Sequence, residues 1–298
     1  MLPTSHQVFL AIAREGHLTR AARSLHRTQP AVSSQLKKLE EELGVQLFHR
    51  TAKGMVLTEA GTLYRRYVEQ AATWLEDGRR ALENLGSLAQ GQLAIGAGAT
   101  ATTYLLPSVL RAYHERYPGI RLHVREQGSS AVAEAVRDGS LDLGVVTTPV
   151  DDDAGLAFSP WVDDELQLIV PPGGPLDRSE SFDWADLEGV PLVLFEAGSA
   201  VRRLIDDAFR AAGVDPVIAM ELRSIESIRQ MVAQGIGAGF VSRHALPPGQ
   251  GLRPRTGTPI YRVLSVCQRA DREPSPAARA FRACMTEAGV VSPRRGSA

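Results

Sequence analysis

The sequence predicts an α/β protein with a small, mainly helical head carrying a winged helix-turn-helix, a long linker helix and a larger two-part α/β body. Three observations carry this prediction. Residues 17–51 contain two short amphipathic helices separated by a tight turn. Residues 58–88 are rich in helix formers and contain no proline. From residue 93 onward, strand and helix patterns alternate, which is typical of largely parallel sheets. The predicted divisions are residues 1–58, 59–90 and 91–298.

The head is expected to contain two consecutive helices, the first packing against the core and the second presenting a polar face. Ala21 and Ala22 give the first helix a small buried face, and a short turn follows. Thr28 is a suitable N-cap for the second helix, which Gly44 ends. Four apolar residues recur at helical spacing and are expected to point inward: Val32, Leu36, Leu39 and Leu43.

The opposite face of the second helix is small, polar and cationic. It carries Thr28, Gln29, Pro30, Ser33, Ser34 and Lys37. Gln29 suits a bidentate contact with adenine, and the helix N-terminus with Thr28 suits a phosphate oxygen. Each residue alone also fits an ordinary solvated helix. Together with the preceding helix and turn, they favour insertion into the major groove of double-stranded DNA.

A short hairpin is expected after this helix. Leu47 and Phe48 anchor it, and Gly54 permits the chain to reverse. Its tip then places Arg50 and Lys53 where they reach the DNA backbone or an adjacent minor groove. The alternative is a solvated basic turn.

The long helix carries a stripe of small and apolar residues at heptad spacing. These are Ala71, Leu75, Gly78, Leu82, Leu85 and Ala89. Such a stripe could pack against the rest of its own chain. A helix this long that projects from a small head is better explained by pairing with a second copy, which predicts a homodimer.

The alternating pattern beyond residue 93 predicts two α/β subdomains. Subdomain I is expected at about 91–162 plus 267–290, and subdomain II at about 163–266. Two connecting strands are expected at 156–161 and 166–170, and the acidic runs 151–153 and 163–165 look like solvated loops.

Ligands of such sheets bind beyond the carboxyl ends of the strands. Hydroxyl groups recur at those ends, at Thr100, Thr102, Ser129, Thr147 and Ser199. With free amides at helix starts, they favour a small anion, most plausibly a carboxylate.

Charge and composition narrow the function classes. Residues 1–58 hold eight Lys or Arg and four Asp or Glu, a net charge of +4, whereas the remainder is at −5. A basic head on an acidic body is expected when only the head meets phosphate. The chain shows no secretion signal and no apolar run long enough to span a bilayer, so a cytoplasmic protein without membrane contact is expected. Its two cysteines, Cys267 and Cys284, provide neither a disulfide framework nor zinc-site spacing and are expected to be buried, inert thiols.

Enzyme chemistry finds little support in the sequence. Residues 235–239 resemble a dinucleotide-binding loop but follow a helix and precede a strand, the reverse of the required order. No phosphate-binding loop and no nucleophile elbow occur. We therefore expect no catalytic residues, metal or cofactor. The alternative function is a solute-binding or enzymatic α/β protein with a fortuitous helix-turn-helix-like head.

The chain closely resembles the LysR-type transcriptional regulators. The matching motifs are residues 28–33 (TQPAVS), 39–44 (LEEELG), 47–51 (LFHRT) and 57–61 (LTEAG). The resemblance implies a periplasmic-binding-protein-like effector domain, modulation by a small-molecule effector, and a dimer formed through the linker helix. It further implies a tetramer and makes RNA polymerase a candidate partner. Thr100 matches the family's usual effector-contacting threonine, whereas Gly98 lies where a serine is frequent.

Overall fold

The computed structural model describes residues 2–51, 54–83 and 91–288. The chain forms two compact units, residues 1–85 and 86–298, and each is described by itself. Among the described residues, no helix is both long enough and apolar enough to cross a bilayer.

The N-terminal unit is a winged helix-turn-helix followed by a long helix, as predicted. Its elements in chain order are α1 (Thr4–Glu15), α2 (Leu18–Ser24), α3 (Gln29–Leu43), β1 (Phe48–Thr51), β2 (Gly54–Leu57) and α4 (Glu59–Glu83). Glycines end α1 and α3: Gly16 and Gly44 adopt φ values of 67° and 68°, which side-chain-bearing residues rarely adopt. The core beneath these elements contains Phe9, Ile12, Val32 and Leu39, all almost fully buried.

The C-terminal unit alternates strands and helices. Its strands are β3 (Gly91–Ala97), β4 (Ile120–Glu126), β5 (Leu143–Thr148), β6 (Leu156–Ile169), β7 (Ser181–Phe182), β8 (Pro191–Phe195), β9 (Val217–Leu222), β10 (Gly239–Ser242), β11 (Arg253–Pro254) and β12 (Ile260–Arg269). Its helices are α5 (Leu106–Arg116), α6 (Ser129–Arg137), α7 (Ala200–Ala212), α8 (Ile225–Ala233) and α9 (Pro276–Glu287). A π-helical turn, Ala101–Leu105, precedes α5.

Two lobes arise because the strands bury two large apolar cores, beside a smaller cluster that includes Val132, Val146 and Cys267. The first core contains Leu93, Val109, Val145 and Phe281, and the second contains Leu192, Ile205, Ile228 and Phe240. A six-stranded sheet in the order β10-β6-β12-β5-β3-β4 runs through both lobes, and β8 pairs with β9 in the second. On the return through β12, Leu264 and Val266 already pack in the first core.

The structure corrects three expectations about the C-terminal unit. The separate strands expected at 156–161 and 166–170 form one 14-residue strand, β6. The acidic run between them is no solvated loop, because Asp164 and Glu165 are fully buried and paired with Arg262 and Arg253. The sheet is also less parallel than expected, since β12 runs antiparallel to both β5 and β6. Long antiparallel strands suit this position because they continue from one lobe into the other.

Both cysteines are buried in the C-terminal unit. Cys267 lies in β12 and Cys284 in α9. Burial raises the pKa of the Cys267 thiol to about 12 and also raises that of Cys284. Neither thiol has thiolate character at neutral pH, in agreement with the expectation that they are inert.

Candidate functional site

The predicted DNA-reading residues lie together on one side of α3. Thr28, Gln29, Pro30, Ser34 and Lys37 are exposed, and Ser33 is half-buried. Thr28 occupies the N-cap position, but its side chain makes no capping hydrogen bond. The Gln29 side-chain oxygen accepts a hydrogen bond of 3.2 Å from Thr19 on α2. That bond orients the amide, which leaves its NH₂ group as a donor.

The hairpin is held against α3 by a residue that the sequence analysis did not single out. One carboxylate oxygen of Glu40 accepts from the backbone amides of Leu47 at 2.7 Å and Phe48 at 3.3 Å. Arg50 lies exposed on β1, opposite Met55 of β2. Lys53 lies outside the described residues. The sequence offers a signal that could have identified Glu40. A carboxylate near a helix end that is followed by an irregular segment has free backbone amides within reach.

The structure at the start of α4 shows what two residues of the 57–61 motif do, Thr58 and Gly61. The Thr58 hydroxyl donates to the Gln46 carbonyl and accepts from the Gly61 amide, at 2.8 and 2.9 Å. Gly61 packs so closely on the chain that an added Cβ would lie 2.1 Å from the Leu47 carbonyl oxygen. Thr58 therefore caps α4, and only glycine fits at Gly61.

The heptad stripe of α4 is described in its first half. Ala71 is half-buried, Gly78 is exposed, and Leu75 retains 46% of its surface in solvent. Leu82, Leu85 and Ala89 lie outside the side chains that the structure describes. An apolar residue this exposed on a long helix fits an interface with another copy.

A cavity of about 520 Å³ lies between the two lobes of the C-terminal unit. The first lobe contributes the starts of the π-helical turn and of α6, and the second contributes the starts of α7 and α8. Four of the five predicted ligand-binding hydroxyl residues line it, namely Thr100, Ser129, Thr147 and Ser199. Thr102 is not among the lining residues. Its hydroxyl donates to the Gly98 carbonyl at 3.1 Å, so the structure does not place it with the other four.

The four lining hydroxyls share one hydrogen-bonding feature. Each oxygen accepts a bond from a protein donor: Thr100 and Thr147 from the Arg262 guanidinium, Ser129 from the Thr147 amide, and Ser199 from the Arg202 amide. Within the described residues, none of the four donates a hydrogen bond of its own. Their protons therefore remain available to a group in the cavity.

Arg262 is the central residue that the sequence analysis missed. It lies on β12, lines the cavity and has a side chain only 5% exposed. Its Nε donates to Asp164 at 2.7 Å, while Ser242 donates to the other Asp164 oxygen, also at 2.7 Å. Burial lowers the pKa of nearby His244, against the opposing attraction of Asp164. The available signal was a charged residue inside an apolar strand pattern at 260–267.

Polar contacts join the two lobes on both sides of the cavity. Tyr104, in the π-helical turn, donates to Glu226 on α8, and this bond lowers the pKa of Glu226. On the other side, Asp151 accepts from Ser130 at 3.2 Å and pairs with Arg203 of α7 at 3.3 Å. Glu226, Ser130 and Asp151 are exposed, whereas Tyr104 and Arg203 are half-buried. Contacts with such exposed partners contribute little to stability.

Comparison with known proteins identifies both units. Residues 4–62 match the model of the bacterial regulatory helix-turn-helix protein, lysR family, and residues 86–289 match that of the LysR substrate binding domain. A probable RuBisCO transcriptional regulator of Cyanophora paradoxa is 36% identical over 286 residues, covering 92% of this chain and 88% of the relative. A protein of Synechocystis sp. with the same description is 35% identical, covering 92% and 83%.

The chain is also similar in fold to solved structures over almost its whole length. A full-length OxyR variant of Pseudomonas aeruginosa is similar with a TM-score of 0.68 and 27% identity, covering 98% of this chain and 96% of its own. Full-length CbnR, solved in complex with its target DNA, is similar in fold with a TM-score of 0.70 and 23% identity, covering 96% and 99%. The chain is a member of the LysR family of transcriptional regulators, with a DNA-binding helix-turn-helix followed by an effector-binding domain.

Proposed function

We propose that this regulator responds to a small organic carboxylate, or a chemically similar oxyanion, bound between the lobes of its C-terminal unit. The observation that carries the proposal is the direction of the four lining hydroxyls. Thr100, Ser129, Thr147 and Ser199 already accept hydrogen bonds from the protein, so they are left to act as donors. An acceptor-only group such as an ionised carboxylate satisfies all of them.

Helix termini strengthen the preference for negative charge. The N-terminal residues of α6, α7 and α8 line the cavity, and their backbone amides and dipoles favour an anion. The wall from the second lobe is largely apolar, with Phe195, Val201 and Leu222. This wall suits the hydrocarbon part of an organic acid better than it suits a bare inorganic ion.

Thr100→Val tests this site, because valine keeps the shape of threonine and removes the hydroxyl. Thermal unfolding of the full chain is followed with a panel of carboxylates, phosphate esters, amines and neutral analogues. Compounds that stabilise the wild type should be oxyanions, with about 2.7 kcal/mol of stabilisation at 100 times the Kd. Thr100→Val should weaken their binding by ~5- to 10-fold, as expected for one lost hydrogen bond. Stabilisation by amines alone, or equal binding by Thr100→Val, would contradict the site.

For the N-terminal unit, we propose that α3 reads base edges and that the hairpin holds the DNA backbone. Replacing Gln29 or Ser33 with alanine should lower operator affinity by ~1–3 kcal/mol and affect random DNA far less. Arg50→Ala should weaken binding to all sequences and flatten its salt dependence. Fluorescence anisotropy with operator and random duplexes at several salt concentrations separates the two effects. Equal losses on both duplexes for Gln29→Ala would overturn its role as a base-reading residue.

We further propose that the heptad stripe of α4 pairs two copies of the chain. Leu75→Glu would place two like charges in a desolvated contact and should cost several kcal/mol of dimer stability, on the order of 3–5. Sedimentation at micromolar concentration should then show monomers. Leu63→Glu is the matched control, because Leu63 is a similarly exposed leucine of the same helix outside the stripe. A Leu75→Glu protein that stays dimeric would exclude this face as the main interface.

We infer that the chain acts in the cytoplasm, where its DNA lies, and is not an enzyme. Besides hydroxyls, glycines and apolar residues, the lining that the structure describes includes Glu126, Gln127, Glu196, Arg223 and Arg262, and it contains no histidine, cysteine or lysine. Its hydroxyls therefore lack the neighbouring imidazole or amine base that activates a nucleophile. These features favour binding without chemistry over the alternative of an enzymatic α/β protein.

A further inference from the structure

The guanidinium of Arg262 bonds three residues on three different segments of the chain. It donates to Asp164 of β6 at 2.7 Å, to the Thr147 hydroxyl of β5 at 3.3 Å, and to the Thr100 hydroxyl at 2.6 Å. The last two are lining residues of the cavity. Arg262 itself extends from β12, one of the two strands that pass between the lobes. It therefore lies on the wall of the cavity that is formed by a strand shared between the two lobes.

The chemistry of arginine gives these bonds a fixed direction. A guanidinium has only donors and does not lose its proton in proteins, so the two threonine oxygens must accept. Asp164 holds the guanidinium in place, and it is held in turn by Ser242, which accepts from the His244 amide at 3.1 Å. Asp164 only accepts and Arg262 only donates. Each threonine oxygen keeps a second lone pair, but its contact with Arg262 directs the hydroxyl proton away from the guanidinium.

We propose that Arg262 is a positioning residue that directs the Thr100 and Thr147 hydroxyl protons into the cavity and so selects an ionised carboxylate over a neutral amide of the same shape. The inference rests on the proposed function and names what sets its specificity. An ionised carboxylate offers acceptor oxygens at both ends, whereas a neutral amide offers one oxygen and one NH₂ group, so a hydroxyl proton directed at its NH₂ end would lose its acceptor. Leaving such buried groups unpaired costs more than the bond that is gained elsewhere.

The test compares matched pairs of probes: succinate with succinamide and acetate with acetamide, each titrated by thermal unfolding of the full chain. Arg262→Lys keeps a positive charge beside Asp164, but the single nitrogen of the ammonium does not reproduce the rigid planar fork that spans Asp164 and two hydroxyls. It should reduce the carboxylate-to-amide affinity ratio about tenfold, the weight of one charge-assisted hydrogen bond. Adding Thr100→Val to Arg262→Lys should lower the ratio little further. A general loss of packing would shift both members of a pair equally and would leave the ratio unchanged.

Two further variants keep the test decisive. Arg202→Lys is the matched control, since Arg202 is a buried arginine of the same unit that pairs with Asp206 and Glu221, donates to the Phe195 carbonyl and does not itself line the cavity. Its ratio should equal that of the wild type. The paired variant Asp164→Leu/Arg262→Leu removes both charges, a change that folded proteins often tolerate. It should lose the carboxylate preference while retaining all four hydroxyls.

The outcomes distinguish the role of Arg262 from the existence of the anion site itself. An unchanged ratio in Arg262→Lys and in the paired leucine variant, with a clear carboxylate preference in the wild type, overturns the role of Arg262 and leaves the anion site standing. A wild type that none of the carboxylates stabilises, or that binds amides equally well, overturns the anion site itself. A ratio that falls in both Arg262 variants and not in Arg202→Lys supports the inference.

Discussion

Replacing Asp164 with alanine is expected to lower the unfolding free energy of the C-terminal unit by about 3–5 kcal/mol. The variant leaves the buried Arg262 guanidinium without its countercharge and the Ser242 hydroxyl without its acceptor. Removing one partner of a buried pair costs more than the pair contributes, because the remaining charge cannot be solvated. Urea unfolding of the full chain, followed by the fluorescence of buried Trp161, measures the loss.

Asp153→Ala is the matched control for this experiment. Asp153 belongs to the other acidic run of the C-terminal unit, and its side chain is exposed. Its replacement should change the unfolding free energy by no more than about 0.5 kcal/mol. The paired variant Asp164→Leu/Arg262→Leu should recover most of the stability lost in Asp164→Ala. Equal effects of Asp164→Ala and Asp153→Ala would show that the buried pair carries no stability.

Gly61→Ala is expected to disrupt the N-terminal unit and abolish operator binding. The added methyl would lie 2.1 Å from the Leu47 carbonyl oxygen, so α4 must shift away from the segment that anchors the hairpin. Overpacking against a flexible side chain costs about 1–3 kcal/mol, and a clash with backbone lies at or above that range. Circular dichroism and operator anisotropy measure the two consequences.

Gly78→Ala provides the comparison on the same helix. A methyl at Gly78 meets nothing within 4 Å, and the change should stabilise α4 by up to about 1 kcal/mol through helix propensity. The C-terminal unit should still bind carboxylates in Gly61→Ala, because the two units are separate compact bodies. A Gly61→Ala protein with normal stability and operator affinity would contradict the packing described here.

Structural features whose determinants lie close together in the sequence could be predicted, whereas features that depend on distant residues could not. The apolar spacing of α3 and the glycine stop at Gly44 act within one helix, and they predict it together with the preceding helix and turn, although the Thr28 side chain makes no capping hydrogen bond. Hydroxyls at the ends of strands were predicted from a general rule of α/β sheets, and four of the five line one cavity. Thr102 differs because the carbonyl of Gly98, one turn earlier, lies within reach of its hydroxyl.

The buried ion pair escaped prediction because its signal is not local. Asp164 and Arg262 are 98 residues apart, and each alone looks like a charge that belongs in solvent. Only the antiparallel pairing of β6 with β12 brings them together. The acidic run at 163–165 was therefore expected to be a loop, and the two segments around it were expected to be separate strands. A long-range partner reversed both the burial and the secondary structure.

The most direct test of this account is the operator affinity of the full chain with and without a carboxylate that stabilises it. Operator DNA is first selected from a random pool with the wild-type protein, and fluorescence anisotropy then gives each Kd. We predict that the saturating carboxylate changes the operator Kd of the wild type by ~5- to 150-fold, the usual range of coupling between two sites. At the same carboxylate concentration, the operator Kd of Thr100→Val should change far less. An identical change in both proteins, or no change in a wild type saturated with carboxylate, would contradict the account.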